Sequence, residues 1–182
     1  MKRIMAVILA AVMVFSMTAC GEKTYTLDDL AVRDIESGKL IRIGDSREEV
    51  EKIVGEPKET KDNGNEEILC EYPSDIDITY NKDGEIIDML CSGYDFEEEE
   101  KKYELAEGVG FGQTEEDFFN AYPGAEDSLD NADILMVKKD KGSKKYKLHT
   151  EVLDDSEATD SIAISVSYNS DLKIEAFIIS EY

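Results

Sequence analysis

The stretch IGDSREEVEKIVGEP occupies Ile43–Pro57, and the chain repeats its pattern as FGQTEEDFFNAYPGA at Phe111–Ala125. In both copies a glycine stands two residues before a hydroxyl residue, Ser46 or Thr114, and acidic residues follow. Self-similarity of this kind indicates a structural unit that occurs twice. The repeat therefore predicts two related units along the chain.

Each copy carries the signals of a short helix. Ser46 is followed three residues later by Glu49, which is the pattern of a capping box, and Thr114 keeps the hydroxyl cap with the acid Asp117 three residues later. Apolar residues then recur at the helical spacing i, i+3 and i+4, so one side of each helix has to be buried. These apolar residues are Val50, Ile53 and Val54 in the first copy and Phe118, Ala121 and Tyr122 in the second. Helices of about two turns are marginal alone, so each needs a sheet to pack on.

A second repeated segment supplies the sheet. IDITYNKDGEI at Ile76–Ile86 matches ISVSYNSDLKI at Ile164–Ile174, and apolar and polar residues alternate in both. This alternation predicts half-buried antiparallel strands. The residues expected to face the helices are Ile76, Ile78, Tyr80, Ile164, Val166 and Tyr168.

Together these patterns predict an α+β fold with two tandem helix-on-antiparallel-sheet repeats, which can join into one continuous curved sheet. Thr26–Ser37 is interpreted as a helix, and Lys61–Glu67 as a turn-rich loop. The predicted divisions are a signal peptide at 1–19, a tether at 20–25, repeat units at 26–93 and 108–182, and an acidic linker at 94–107.

The repeated motif, with the strands that end in Tyr-Asn, resembles the SmpA/OmlA-type small envelope lipoproteins. It is also similar to the tandem-repeat β-lactamase-inhibitor-protein fold. The resemblance covers most of Lys39–Leu90 and, more loosely, Gly108–Tyr182. It implies a protein that binds other proteins or assembles envelope complexes. It transfers no functional residue, because the contact residues of those families lie outside the shared motif.

The first twenty residues have the pattern of a leader. Lys2 and Arg3 precede the apolar run Ile4–Phe15, which is too short to span a bilayer. Met17-Thr18-Ala19-Cys20 resembles a lipobox and implies that Cys20 is lipidated after cleavage before it. The alternative is an ordinary secretory signal cut near Ala19. The expected location is the outer face of the cytoplasmic membrane, or the periplasmic face of an envelope membrane.

Composition limits the function classes. The formal net charge of −23 argues against binding of nucleic acid, so we expect a protein partner in addition to the membrane. An exported chain can form disulfides, but Cys70 and Cys91 fall on the first and third strands of the predicted sheet. Two buried thiols are therefore favoured, and a disulfide stays open if the strand order differs.

No pattern of catalytic residues stands out. The chain has one histidine, no glycine-rich phosphate loop and no set of zinc ligands, so we expect neither a metal nor a cofactor. The function predicted is that of a protein-binding or envelope-assembly module that is not an enzyme. The alternatives are an inhibitor of a secreted enzyme and a secreted hydrolase that uses acidic residues, which a deep cleft with convergent carboxylates would favour.

One cluster of charge opposes the acidic background. Lysines are concentrated in an insertion that only the second copy has, namely Lys138, Lys139, Lys141, Lys144, Lys145 and Lys147. They could protect a strand edge, which is the favoured interpretation, or contact an anionic partner. The candidate binding residues are Lys144, Lys145, Lys147 and His149 on this hairpin and Asp75, Asp77, Thr79, Ser165 and Ser167 on the open face of the sheet.

Overall fold

The computed structural model describes residues 23–73, 75–93, 102–128, 132–149 and 160–182. The leader with Cys20 and the acidic run at 94–101 lie outside the described residues. No helix in the described part of the chain is both long enough and apolar enough to cross a membrane.

Antiparallel strands make up most of the described chain. They are β1 Thr24–Tyr25, β2 Val32–Asp34, β3 Leu40–Ile41, β4 Glu59–Gly64, β5 Glu67–Glu71, β6 Ile76–Tyr80, β7 Ile86–Ser92, β8 Tyr103–Leu105, β9 Val109–Gly110, β10 Glu126–Ser128, β11 Ala132–Lys139, β12 Tyr146–Leu148, β13 Ser161–Tyr168 and β14 Ile174–Glu181. The long sheet has the order β1-β12-β11-β13-β14-β7-β6-β5-β4, with β10 beside β11. A small sheet has the order β3-β2-β8-β9.

The prediction of an α+β fold built from two helix-on-sheet repeats is wrong. Helices contribute only α1 (Arg47–Val54), with eight residues, and α2 (Glu115–Ala121), with seven, in the described part of the chain. The fold is β-rich, since both halves of the chain contribute strands to one long sheet. In the second sheet, β2 lies in the segment predicted to be a helix and β8 in the predicted linker.

Several segments also have a structure other than the one that the sequence predicts. Thr26–Ser37 is a turn followed by β2, and the predicted linker contains β8, which pairs with β2. Lys61–Glu67 belongs to the hairpin of β4 and β5. Tyr25, which we placed in the tether, is fully buried. These strands pair with segments remote in sequence or are polar throughout, so no local alternation marks them.

One side of the long sheet faces the core. All six residues expected to be buried on β6 and β13 are buried, as predicted. They belong to a single apolar cluster that also contains Val50 and Phe118 from the helices and Val32 and Leu105 from the small sheet. The helices and the small sheet therefore share a core with this side of the long sheet.

The repeated stretch begins both helices in the same way. Ser46 and Thr114 each form a complete capping box, so both predicted N-termini are confirmed. Gly44 and Gly112 have φ values of 84° and 80°, which a residue without a Cβ adopts at little cost. The amide of Gly44 donates to the carbonyl of Ile86, and that of Gly112 to the carbonyl of Ile174. The sequence repeat thus corresponds to repeated local hydrogen bonding.

The two cysteines on the long sheet are unpaired. Cys70 and Cys91 are buried free thiols, which confirms the favoured interpretation. They face the core on β5 and β7, with β6 between them: Cys70 pairs with Ile78, and Cys91 with Ile76. A disulfide would have to bridge this intervening strand.

Candidate functional site

The side of the long sheet opposite the core is called the outer face here. Residues directly opposite each other on neighbouring strands share a face, so the strand register defines its composition. One row across this face consists of Leu69, Thr79, Asp88, Ser180, Ala163 and Met136. The adjacent row consists of Glu71, Asp77, Leu90, Ile178, Ser165, Ile134 and Glu126.

Apolar side chains occupy the middle of the outer face. Ile178 is 38% exposed, which places it among the large exposed apolar residues of the described chain. Leu90, its cross-strand partner on β7, and Ile134, two strands away, are half-buried. None of the three belongs to the apolar core cluster. The outer face therefore presents aliphatic surface that the core does not use.

Carboxylates lie among these apolar residues. The hydroxyl of Ser180 donates to Asp88 Oδ2 at 2.5 Å. Burial raises the pKa of Asp88, and the Ser180 hydrogen bond opposes this rise. Burial also raises the pKa of Asp77, with the neighbouring Glu71 adding to it. The outer face is thus mixed in character, aliphatic at its centre and acidic beside it.

The predicted open-face residues lie largely together. Asp77, Thr79, Ser165 and Ser167 all point to the outer face by register. Thr79 is only 8% exposed, so it is less accessible than we predicted. Asp75 lies before β6 with φ of 55°, outside the strand alternation.

The lysine-rich hairpin consists of β11, β12 and the turn between them. Lys147 pairs with Lys138 on one side and Thr24 on the other, and its ammonium group lies 3.6 Å from Asp140. The amide of His149 donates to the carbonyl of Met136. Because β1 pairs with β12, the backbone edge of β12 at Tyr146 and Lys147 is covered by another strand of the same chain. Lys147 therefore does not lie on an unpaired strand edge, and edge protection by the other lysines stays a prediction.

A cleft opens where the lysine-rich hairpin meets the segment after β1. It has a volume of about 560 Å³ and is called the basic cleft here. Its lining consists of Thr26, Leu27, Asp28, Arg42, Lys139, Lys144 and Tyr146. The Arg42 guanidinium pairs with Asp28 at 2.5 Å and with Asp45 at 3.8 Å, whereas Lys139 and Lys144 are exposed. Three cations thus converge on one opening in a strongly acidic chain.

A smaller acidic pocket lies on the second half of the chain. It has a volume of about 210 Å³, with Glu115, Asp127 and Asp133 in its lining. Tyr168 donates a hydrogen bond to Asp133 at 2.5 Å, and burial raises the pKa of Asp133. No group of three or more His, Cys, Asp or Glu side chains in the described ranges is arranged to hold a metal ion.

Sequence reasoning missed several of these residues. The sequence indicates Lys139 only as a member of the lysine cluster. Arg42 and Tyr146 line the same cleft as Lys139 because segments distant in sequence come together there. Leu90 and Ile178 lie on strands with apolar residues at successive positions, so alternation alone does not separate the two faces.

Comparisons with known proteins give structural neighbours of low sequence identity. No protein-family model matches the sequence, and no curated protein sequence matches it. The chain is similar to a cysteine-rich secretory protein from Staphylococcus aureus subsp. aureus Mu50, with 14% identity and a TM-score of 0.46. It is also similar to an extracellular protein containing an SCP domain from Bacillus anthracis str. Ames, with 9% identity and a TM-score of 0.41. Each match covers 76% of this chain and 44% of the other.

Proposed function

We propose that this chain is an extracytoplasmic lipoprotein, anchored through Cys20, that binds a protein partner through the outer face of its long sheet. The leader pattern and the lipobox-like residues before Cys20 support export and anchoring. The resemblance of the repeated stretch to small envelope lipoproteins supports a role in binding or assembly.

The observation that carries the binding function is the aliphatic centre of the outer face. Leu90 lies directly opposite Ile178, and Ser165 lies between Ile178 and Ile134 in the same row. The three aliphatic residues lie outside the core cluster. Contiguous exposed apolar surface rimmed by polar groups is typical of sites that contact other proteins. Isolated exposed apolar residues would carry no such meaning, but here they share one face.

The chemistry of the face limits the partner. Asp77 and Asp88 lie beside the aliphatic residues, and Glu71 pairs with Asp77 across the strands. A partner therefore has to offer apolar surface at its centre and basic or hydrogen-bond-donating groups around it, because like charges across an interface are unfavourable. We expect a neutral or basic surface on the partner.

A matched pair of substitutions tests this proposal. Ile178→Asp places a charge in the centre of the outer face, whereas Ile35→Asp places one at a comparably exposed isoleucine that follows β2 on the small sheet. Proteins bound to the wild type in envelope extracts should stay bound to the Ile35→Asp chain and be lost from the Ile178→Asp chain. Equal losses from both variants, with equal thermal stability, would reject the outer face as the binding surface.

The enzyme alternative has less support. The pocket in which carboxylates converge holds about 210 Å³, below the range of roughly 300–1,000 Å³ that is usual for ligand sites. One of its carboxylates, Asp133, already accepts a hydrogen bond from Tyr168. An inhibitor of a secreted enzyme is a special form of the binding proposal, and an assay of the captured partner would identify it.

A further inference from the structure

The segment that follows Cys20 is held tightly to the folded body. Two residues separate Cys20 from Lys23, so Lys23 lies within about 11 Å of the cysteine even when the chain is fully extended. Lys23 Nζ donates to the carbonyl of Ala121, and the Tyr25 hydroxyl to the carbonyl of Pro123. The Tyr25 ring also stacks with the Tyr122 ring at 6.2 Å. An anchor at Cys20 would therefore hold the body close to the membrane.

The lysine-rich hairpin lies beside this N-terminal segment. β1 pairs with β12 of the lysine-rich hairpin, with Thr24 opposite Lys147 and Tyr25 opposite Tyr146. The basic cleft begins at Thr26, directly after β1. By chain length alone the cleft lies within about 20 Å of Cys20. The fold thus brings Arg42, Lys139 and Lys144 to the end of the molecule nearest the anchor.

We propose that the basic cleft binds phosphate headgroups of anionic phospholipids in the membrane that carries the anchor. The ammonium groups of Lys139 and Lys144 supply the positive charge, and Arg42 adds a third cation, which Asp28 orients. Leu27 and Tyr146 give the cleft an apolar wall suited to the glycerol part of a lipid. This inference rests on the anchoring part of the proposed function.

Contact with an anionic membrane has to overcome the charge of the whole chain. A chain with a net charge of −23 is repelled by an anionic surface as a whole, so close contact needs a local basic region and a means of staying near. The short segment between Cys20 and β1 keeps the basic cleft near the membrane. At physiological ionic strength charges act over about 8 Å, so lysines held against the surface contribute whereas the distant acids are screened.

Vesicle flotation tests the binding of phospholipid by the cleft in the absence of the covalent lipid at Cys20. The protein is the chain from residue 20 onward with Cys20→Ser and a polyhistidine tag ahead of it, which contains every described residue. The vesicles are phosphatidylcholine with a small fraction of nickel-chelating lipid, with or without phosphatidylglycerol, so that weak capture of the tag replaces the lipid anchor. Lys139→Gln with Lys144→Gln should lower partitioning onto the anionic vesicles by on the order of 20-fold, since each lysine contributes about fivefold at such a surface. Lys58→Gln, just before the edge strand β4, with Lys61→Gln on that strand makes the same charge change at the opposite edge and should have little effect.

Three results would overturn the inference: equal binding to neutral and anionic vesicles, equal losses from both double variants, or competition by free glycerol phosphate at low millimolar concentration, which would assign the cleft to a soluble anion. Mass spectrometry of Cys20 in the native protein is a separate measurement. A chain that is lipidated there but ignores phosphatidylglycerol would reject this inference while leaving the anchoring proposal intact.

Discussion

Thr24 lies directly opposite Lys147, in the two-residue pairing that joins β1 to β12. This pairing joins the segment nearest Cys20 to the lysine-rich hairpin and makes β1 the last strand at that edge of the long sheet. It also changes the meaning of the N-terminal segment, because residues that look like a tether in the sequence are part of the fold. The predictions below begin with that segment.

Tyr25 should behave as a core residue. Its side chain is fully buried, stacks on Tyr122 and donates to the carbonyl of Pro123. Tyr25→Ala should lower the free energy of unfolding by about 3 kcal/mol or more, because it leaves a cavity and an unpaired carbonyl. Lys23→Ala, which removes an ammonium from above the Tyr25 ring, should cost less than about 1 kcal/mol. Urea unfolding measures both changes. If both substitutions had equally small effects, this segment would be a tether and not part of the core.

The two capping boxes should contribute similar stability. Ser46 and Thr114 each accept a hydrogen bond from the third residue of the helix, Glu49 or Asp117, which bonds back to the cap. Ser46→Ala and Thr114→Ala should each cost about 1 kcal/mol, and the double change should cost their sum, because the helices lie in separate copies of the repeat. Urea unfolding of the three variants measures this. A double variant no less stable than either single variant would contradict it.

The Tyr168–Asp133 pair should make stability depend on pH. Burial raises the pKa of Asp133 in the folded chain, so ionisation of this carboxyl disfavours folding. That cost is present at neutral pH and disappears as the pH falls through the raised pKa. The advantage of Asp133→Asn over the wild type should therefore shrink on acidification, as measured by chemical unfolding at several pH values. An advantage that grows on acidification would contradict the assignment.

Tyr168→Phe tests the same pair from its other side. The substitution removes the hydroxyl that donates to Asp133 and leaves the buried carboxylate without this partner. It should cost about 1–3 kcal/mol at neutral pH, as measured by urea unfolding. In a chain that already carries Asp133→Asn, Tyr168→Phe should cost less than it does in the wild type, because the buried carboxylate that the hydroxyl serves is absent.

Cys70 and Cys91 should be inert in the folded protein. Both thiols are buried, and burial raises the pKa of Cys91 far above its ordinary value, which suppresses the reactive thiolate. In a chain with Cys20→Ser, iodoacetamide should add no label under native conditions and two labels after denaturation without reductant. Mass spectrometry counts the labels. A denatured, unreduced chain that takes none would contain a disulfide.

The sequence predicts best what local signals encode. Both helices begin where Ser46 and Thr114 cap them, because a cap and its partner lie within one turn. The buried residues of β6 and β13 follow from alternation along a single strand. What failed is the fold class, because β2, β4 and β8 carry too weak a pattern of their own and form by pairing with other segments.

The candidate site was harder to predict for the same reason. The basic cleft brings Arg42 together with Lys144 through the pairing of β1 with β12, and no spacing in the sequence records that contact. The aliphatic centre of the outer face depends on the register between β7 and β14, which places Leu90 opposite Ile178. Strands that are apolar at successive positions leave the choice of face to tertiary structure.

The most direct test of the central claim is site-specific photocrosslinking in intact cells. A photoreactive aliphatic residue replaces Ile178, which is 38% exposed on the outer face, or Ile35, which is 46% exposed beside the small sheet. Binding through the outer face predicts a discrete protein adduct from position 178 that the second change Leu90→Asp abolishes, and no such adduct from position 35. The absence of an adduct at position 178, or the same adduct from both positions, would contradict the account.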